Sequence, residues 1–404
     1  MHPTIDSEQL LEDLESLAQF GVNPHGGLSR IAYNLADRQA RAWITEQMYS
    51  LGMTAKTDEA GNTIALYPGL TPDLPAIALG SHTDTVPNGG RYDGALGVLA
   101  ALACVRALRE SGVQMRHPVE VINFAAEEAT MSGATLGSQA MAGLLNLAVV
   151  EQMAWDGRQV GHHLQGANID LARLLEARRP VGSIAAYLEL HIEQGGALEQ
   201  AGIPIGVVEG IVGIRRYDVV FEGVANHAGT TPMALRRDAL VMAAPFITGA
   251  REIALQHEIV ATIGALRVYP GAPNVIPGRV DLQLEIRGLD EAALDQAQAN
   301  LATLANALDG QFSHRSAKGA VKSDSRLVEA LEAACRSLEL AYRVMPSGAG
   351  HDAMCMADIA PQAMLFVPSR GGVSHAPDEY TAPEDCVNGA RVLLAALLEL
   401  DARL

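Results

Sequence analysis

Five residues of metal-binding type follow apolar runs in this sequence. They are His82 in GSHTDTVPNGGRYDG, Asp93 eleven residues later, Glu128 beside Glu127 in AAEEAT, His191 in ELHIEQG, and His375 in GGVSHAPDEY. Imidazoles mixed with carboxylates are what borderline divalent metals require, and three of one with two or three of the other suffice for two ions. Taken singly, each is weak. A histidine at a strand end is more often a hydrogen-bonded structural residue, a Glu pair a solvated face, and Asp93 in a YDG turn a helix cap. The joint pattern, spread over four strand ends in Gly- or Pro-rich text, is hard to reach by chance.

The elements that must position these residues come from periodicity. Thr63–Tyr67, Ala76–Leu79, Val119–Ala125 and Ala186–Leu190 are short apolar runs bounded by turn residues, which predicts buried strands. Helices are predicted over Ser7–Phe20, capped by Asp6 or Ser7, and over Leu35–Leu51 and Gly94–Glu110. Near the C-terminus Tyr342–Met345 and Ala363–Val367 read as strands, and Pro383–Leu400 as a closing helix with Pro near its start. Alternation of this kind predicts an α/β domain with a mostly parallel sheet, and such sheets bind ligands at the carboxyl ends of their strands. The candidate ligands therefore fall on one rim.

The middle of the chain has a different texture. Gly213–Gly223 reads as a strand, Met233–His257 as a helix and Ile259–Val268 as a strand. Arg279–Arg287 is strictly alternating, Asp290–Leu308 is helical, and Gln311–Ala317 is a weak strand. The order βαββαβ is ferredoxin-like. It predicts an inserted domain over 211–324 that splits a first domain made of 1–210 and 325–404.

Bulk properties bound the function. The chain has 404 residues, 49% of them hydrophobic and 19% charged, with a net charge of −18. That balance argues against nucleic acid and anionic membrane as partners. No signal-peptide pattern and no run of about 18 apolar residues is present, so a cytoplasmic protein is expected. Cys104, Cys335, Cys355 and Cys386 lack CxxC spacing and are expected to be buried thiols. The adjacent His162 and His163 are expected to be exposed in a polar loop.

These motifs resemble the two-metal N-carbamoyl-amino-acid amidohydrolases, a group that includes L-carbamoylases, β-ureidopropionases and allantoate amidohydrolases. The resemblance covers nearly the whole chain. It is carried by GSHTDTVPNGGRYDGALGV, AAEEAT with a following LGS, LELHIEQGGALE, NHAGTTPM, NVIPGRVDLQLEIR, SGAGHDA and GVSHAPDEY. It implies that His82 and His191 hold one ion, that Glu128 and His375 hold the other, and that Asp93 bridges them. Glu127 would be the general base. Zinc is the first expectation for the ions, and manganese, cobalt or nickel also suit the donors.

The resemblance further implies that His227 in ANHAGTTP stabilises the oxyanion, and that Asn274 and Arg287, thirteen residues apart, bind the substrate carboxylate. Gln194 and Gly350 would complete the pocket, with His351 and Asp352 as supporting groups. The implied reaction is hydrolysis of an N-carbamoyl-L-amino acid to the amino acid, ammonia and carbon dioxide. Allantoate and N-carbamoyl-β-alanine are alternative substrates, and an aminopeptidase or dipeptidase activity is a more distant one. The inserted domain would act as a lid and carry a homodimer contact. Two departures from the family pattern lie near the expected rim: Met131, Ser132 and Gly133 after the Glu pair, and Gln139 after LGS. Substrate preference therefore cannot be copied from any one relative.

Overall fold

The central strands form because their sequences exclude water on both faces. In a computed structural model describing residues 2–404, the chain divides into two compact units. One contains the residues up to Gly210 together with Ser323–Leu404, and the other is Ile211–Lys322.

The strands, in chain order, are β1 (Thr54–Thr57), β2 (Thr63–Tyr67), β3 (Ala76–His82), β4 (Val119–Phe124), β5 (Ile184–Ile192) and β6 (Ile205–Ile211). They continue as β7 (Gly213–Glu222), β8 (Val260–Tyr269), β9 (Arg279–Gly288), β10 (Gly310–Lys318), β11 (Val321–Lys322), β12 (Tyr342–Ser347) and β13 (Gln362–Val367). In the larger unit the order is β1-β2-β4-β3-β5-β13-β6, with β12 pairing β6. The pairs β4-β3, β3-β5 and β5-β13 are parallel, whereas β1-β2, β2-β4 and β13-β6 are antiparallel. The parallel centre matches the expected architecture. The antiparallel flanks were not expected, and they include the edge strand β1, too short and polar to read as a strand.

Every residue of β3 and β13 is buried, as parallel strands covered on both faces require. The helix Ala95–Ser111 is buried from Ala95 through Leu108, all round its circumference, so it belongs inside the domain and not on its surface. The helix Pro383–Arg403 starts with Pro at its first position, where the missing N–H costs nothing. Side chains of these two helices share one core with Leu79, Val121, Leu188 and Leu365 from the four central strands.

The smaller unit is an antiparallel sheet in the order β10-β7-β9-β8, with a core of its own. On β9, Val280, Leu282, Leu284 and Ile286 are buried while the residues between them are not, so the alternation in the sequence sets the face. The helices Ala239–Gln256 and Glu291–Ala307 contribute the residues packed against that face, among them Phe246 and Leu301. The expected helix over Met233–His257 needs correction at its start. Asp238 accepts hydrogen bonds from the N–H groups of Leu240 and Val241 and caps the helix there, leaving Met233–Leu235 as a separate 3-10 turn. No helix among the described residues is long and apolar enough to cross a membrane. All four cysteines are buried.

Candidate metal centre

The ends of β3, β4 and β5, with loops that follow them and β13, carry the candidate ligands of the larger unit. His82 is the last residue of β3 and His191 lies near the end of β5. The rings are oriented through Nδ1, which lies 3.0 Å from the Asp84 carbonyl in His82 and 2.9 Å from the Ile192 carbonyl in His191. An N–H at Nδ1 satisfies each carbonyl and leaves the lone pair on Nε2.

Both lone pairs face one carboxylate. Nε2 of His191 is 3.1 Å from Asp93 Oδ1, and Nε2 of His82 is 3.7 Å from the same oxygen. On the other side of Asp93, His375 Nε2 is 3.2 Å from Oδ2 and 3.4 Å from Glu128 Oε1. Two groups of potential ligands therefore share Asp93: His82, Asp93 and His191 in one, and Asp93, Glu128 and His375 in the other. An imidazole nitrogen facing a carboxylate is favourable when a proton or a metal cation lies between them. The donor chemistry thus fits a cation in each group.

Asp93 does not cap the helix that follows it. The cap residue is Gly94, with φ of 62° and no side-chain cap bond. A Cβ at Gly94 would lie 2.4 Å from the His82 ring, so this position combines a left-handed backbone with no lateral space. Gly94→Ala is expected to lower stability by about 1–3 kcal/mol through overpacking and backbone strain, measured by urea unfolding.

Glu127 and Glu128 leave β4 through Ala126, whose φ is 53°. Asp84 holds both backbone N–H groups of the pair: its Oδ1 accepts from the Glu127 N–H at 3.2 Å and its Oδ2 from the Glu128 N–H at 3.1 Å. Glu127 belongs to neither ligand group, and its Oε2 lies 3.6 Å from His82 Nε2.

Electrostatics set this rim apart. Burial pushes Glu127 well above the usual carboxyl range, helped by Asp352, Glu128 and Asp84. Burial also raises Glu128, with Asp93 and Asp84 adding to it. Asp84 is pushed up to about 7 by burial and by Asp37. Burial opposes charge on Asp93, but the imidazoles of His191 and His375 hold it well below its ordinary value. Burial drives His82 down to about 3, whereas His191, against the same burial, is raised to about 9 by Asp93 and Glu189. Carboxyls that raise one another's pKa in a buried space mark a place where positive charge is stabilising.

A layer of buried polar groups lies behind the ligands, of which the sequence singles out His351 and Asp352 but not the others. Glu189 is buried, its Oε1 accepting from Ser81 Oγ at 2.8 Å and its Oε2 from Ala353 N at 3.0 Å. His351 packs its ring edge-on against His191, with centroids 4.5 Å apart. Asp352 accepts from Ser138 Oγ at 2.6 Å. The buried Arg30 and the half-buried Arg41 donate to the carbonyls of Thr83 and Asn123 near the ends of β3 and β4. For Glu189 the only sequence signal is a polar letter inside an apolar run, YLELHI.

Gln194 sits beside the ligands. Its Nε2 donates to Asp93 Oδ2 at 2.9 Å, and its buried Oε1 has no partner. Gly350 is half-buried, and a Cβ there would meet only Met354 Sδ, at 3.7 Å. His162 and His163 lie on the helix Val160–Gly166, not in a loop, and His163 is half-buried against Asp156 at 3.1 Å.

The remaining candidates belong to the smaller unit. The segment Asn226–Ala228 pairs with Asn274–Ile276 through an isolated bridge, so His227 and Asn274 are exposed side by side beyond one end of the sheet. Arg287 is at the other end. It opposes Ile214 and Val260, and its Nε donates to Glu285 at 2.7 Å. From Arg279 to Arg287 the strand advances roughly 27 Å. The structure therefore does not bring Asn274 and Arg287 of one chain together.

An open α/β sheet gathering imidazoles and carboxylates at the ends of its parallel strands defines a metallohydrolase architecture. The chain belongs to peptidase family M20/M25/M40, whose family model matches residues 78–399. It is 38% identical to the N-carbamoyl-L-amino acid amidohydrolase of Geobacillus stearothermophilus over 98% of this chain and 99% of that protein. It is 36% identical to the allantoate amidohydrolase of Bacillus subtilis over 96% of each. A solved amidase of the hydantoinase/carbamoylase family from Burkholderia multivorans matches with a TM-score of 0.91 and 35% identity over 98% of each chain.

Proposed function

We propose that this protein hydrolyses the ureido C–N bond of an N-carbamoyl-L-amino acid, giving the amino acid, ammonia and carbon dioxide. The observation that carries this reading is Asp93 shared between two ligand groups, with the non-ligand Glu127 alongside. Its similarity to the Geobacillus enzyme, along nearly the whole length of both, supports the substrate class.

His82 and His191 would hold one divalent ion and Glu128 and His375 the other, with Asp93 available to both. Zinc is the ion we assign, with manganese, cobalt and nickel as competitors. When bound, such a pair lowers the pKa of a water and polarises a carbonyl. Glu127 accepts the proton from the attacking water and delivers it to the departing nitrogen. His227 donates to the ureido oxygen as negative charge develops there. The guanidinium of Arg287 takes the substrate carboxylate, with Asn274 as a second donor. Gln194, through its unpartnered Oε1, accepts from a substrate N–H, and the open backbone at Gly350 allows close approach.

A small ureido acid is far shorter than the distance along the sheet from Asn274 to Arg287 of one chain. That separation supports a homodimer in which each pocket takes Arg287 from one copy and His227 with Asn274 from the other. The helix Ala239–Gln256 exposes Leu240, Val241 and Leu255, an apolar strip suited to such a contact.

Allantoate is the second reading, favoured by the similarity to the Bacillus enzyme, and one extra methylene in N-carbamoyl-β-alanine is worth only about 1–3 kcal/mol of discrimination. Metal-loaded protein is expected to release ammonia from N-carbamoyl-L-alanine or N-carbamoyl-L-methionine faster than from N-carbamoyl-β-alanine or allantoate. A chelator should abolish the activity. Preference for allantoate would transfer the assignment to that substrate, and cleavage of Ala–Ala with no ammonia from any ureido compound would overturn it.

A further inference from the structure

One buried acid touches the candidate centre without belonging to either ligand group. Glu379 is 4% exposed. Its Oε1 accepts from the backbone N–H groups of Tyr92 at 2.9 Å and Asp93 at 3.1 Å. Its Oε2 lies 3.1 Å from Ser374 Oγ, and that hydroxyl lies 3.1 Å from Asp93 Oδ2. Gly90 closes over it, since a Cβ there would fall 2.1 Å from the Glu379 carboxyl carbon. The NGGRYDG turn is therefore wrapped around a side chain delivered from four residues beyond His375.

A buried carboxyl is costly unless hydrogen-bonded, and the bonds it makes here are informative. Two go to the peptide groups that set where the Asp93 backbone lies. The third contact is with the Ser374 hydroxyl, whose one proton is shared between Glu379 Oε2 and Asp93 Oδ2. Because Ser374 immediately precedes His375, the same contacts connect the orientation of Asp93 to the loop that brings His375.

We propose that Glu379, acting with Ser374, is a positioning residue that holds Asp93 where its two oxygens can serve both ligand groups at once. Glu379 meets no reacting atom, and its effect is exerted through Asp93. The inference rests on the two-ion reading given above.

The test is metal affinity, measured by zinc competition against a chromophoric chelator, with metal content by mass spectrometry. Each metal-free variant is titrated well below its own unfolding transition. Glu379→Ala is expected to weaken at least one ion by about 10- to 100-fold, the range seen when groups supporting metal ligands are removed. Glu379→Gln keeps an acceptor for both N–H groups and should recover most of the affinity. Gly90→Ala displaces the same carboxyl and should reproduce the loss without touching Glu379, and Ser374→Ala should give a smaller one. A folded Glu379→Ala or Gly90→Ala protein that binds both ions as the unaltered protein does would overturn the inference, even with a lowered unfolding temperature. If Glu379→Ala does not fold, Gly90→Ala and Ser374→Ala decide the question. Unaltered protein that holds no metal would overturn the two-ion reading itself, an outcome separate from any difference among variants.

Discussion

Glu127→Gln is expected to lower kcat by about 10²- to 10⁴-fold, the usual worth of a general acid–base group, while the protein retains its metal. The residue stands outside both ligand groups yet within 3.6 Å of His82 Nε2, close enough to serve a water held by the ligands. Burial first, then the neighbouring Asp352 and Glu128, moves its proton affinity above that of an ordinary carboxylate. Glutamine preserves size and hydrogen bonding but cannot accept that proton. Glu128→Gln should behave differently, because it removes a charged ligand and metal is lost with activity. Parallel measurement of kcat and metal content separates the two. A Glu127→Gln enzyme with near-normal kcat would remove the residue from the mechanism.

The second large effect is a recovery of activity. Arg287→Ala and His227→Ala homodimers should each be nearly inactive, and subunits of the two mixed by co-expression should regain activity. With Arg287 and His227 drawn from opposite copies, each mixed dimer has one pocket lacking both groups and one pocket intact. Random pairing then restores about a quarter of the pockets. If one chain supplied both groups, every pocket in the mixed dimer would lack one of them and no activity would return. The separation along β9 makes the first outcome the expected one, because two-residue register changes could not close a distance of roughly 27 Å. Purified mixed dimers carrying two different affinity tags give the cleanest measurement.

Legibility of the fold in the sequence followed burial. The central strands can be read because a strand covered on both faces is an apolar run with turn residues at its ends, as in Ala76–His82. The face of β9 can be read because period-two alternation survives wherever one side of a sheet is wet. By contrast β1 is four residues of mostly polar edge, and the helix after Asp238 begins later than apolar content suggests because a side chain intercepts its first N–H groups. Within the site, strand-end histidines announce themselves. The support beneath them does not, since a buried glutamate and a solvated one share a letter. Ser81 meets Glu189 across 108 positions, and Glu379 meets Tyr92 across 287. The opposite placement of Asn274 and Arg287 is a different case: thirteen residues, mostly of extended chain, already imply the distance.

The position of β13 sets a timetable for synthesis. This strand lies between β5 and β6, although the whole of Ile211–Lys322 separates it from β6 along the chain. At translation speeds of about 5–20 residues per second, the growing protein waits roughly 10–35 s after β5 leaves the ribosome before β13 can join it. Throughout that interval β5 presents an unpaired, apolar edge, while the inserted unit, with a core made only of its own residues, can already fold. The nascent chain thus passes through a half-built sheet beside a finished neighbour. Slow codons or chaperone shortage in this stretch would be felt as aggregation of new chains and not as instability of old ones.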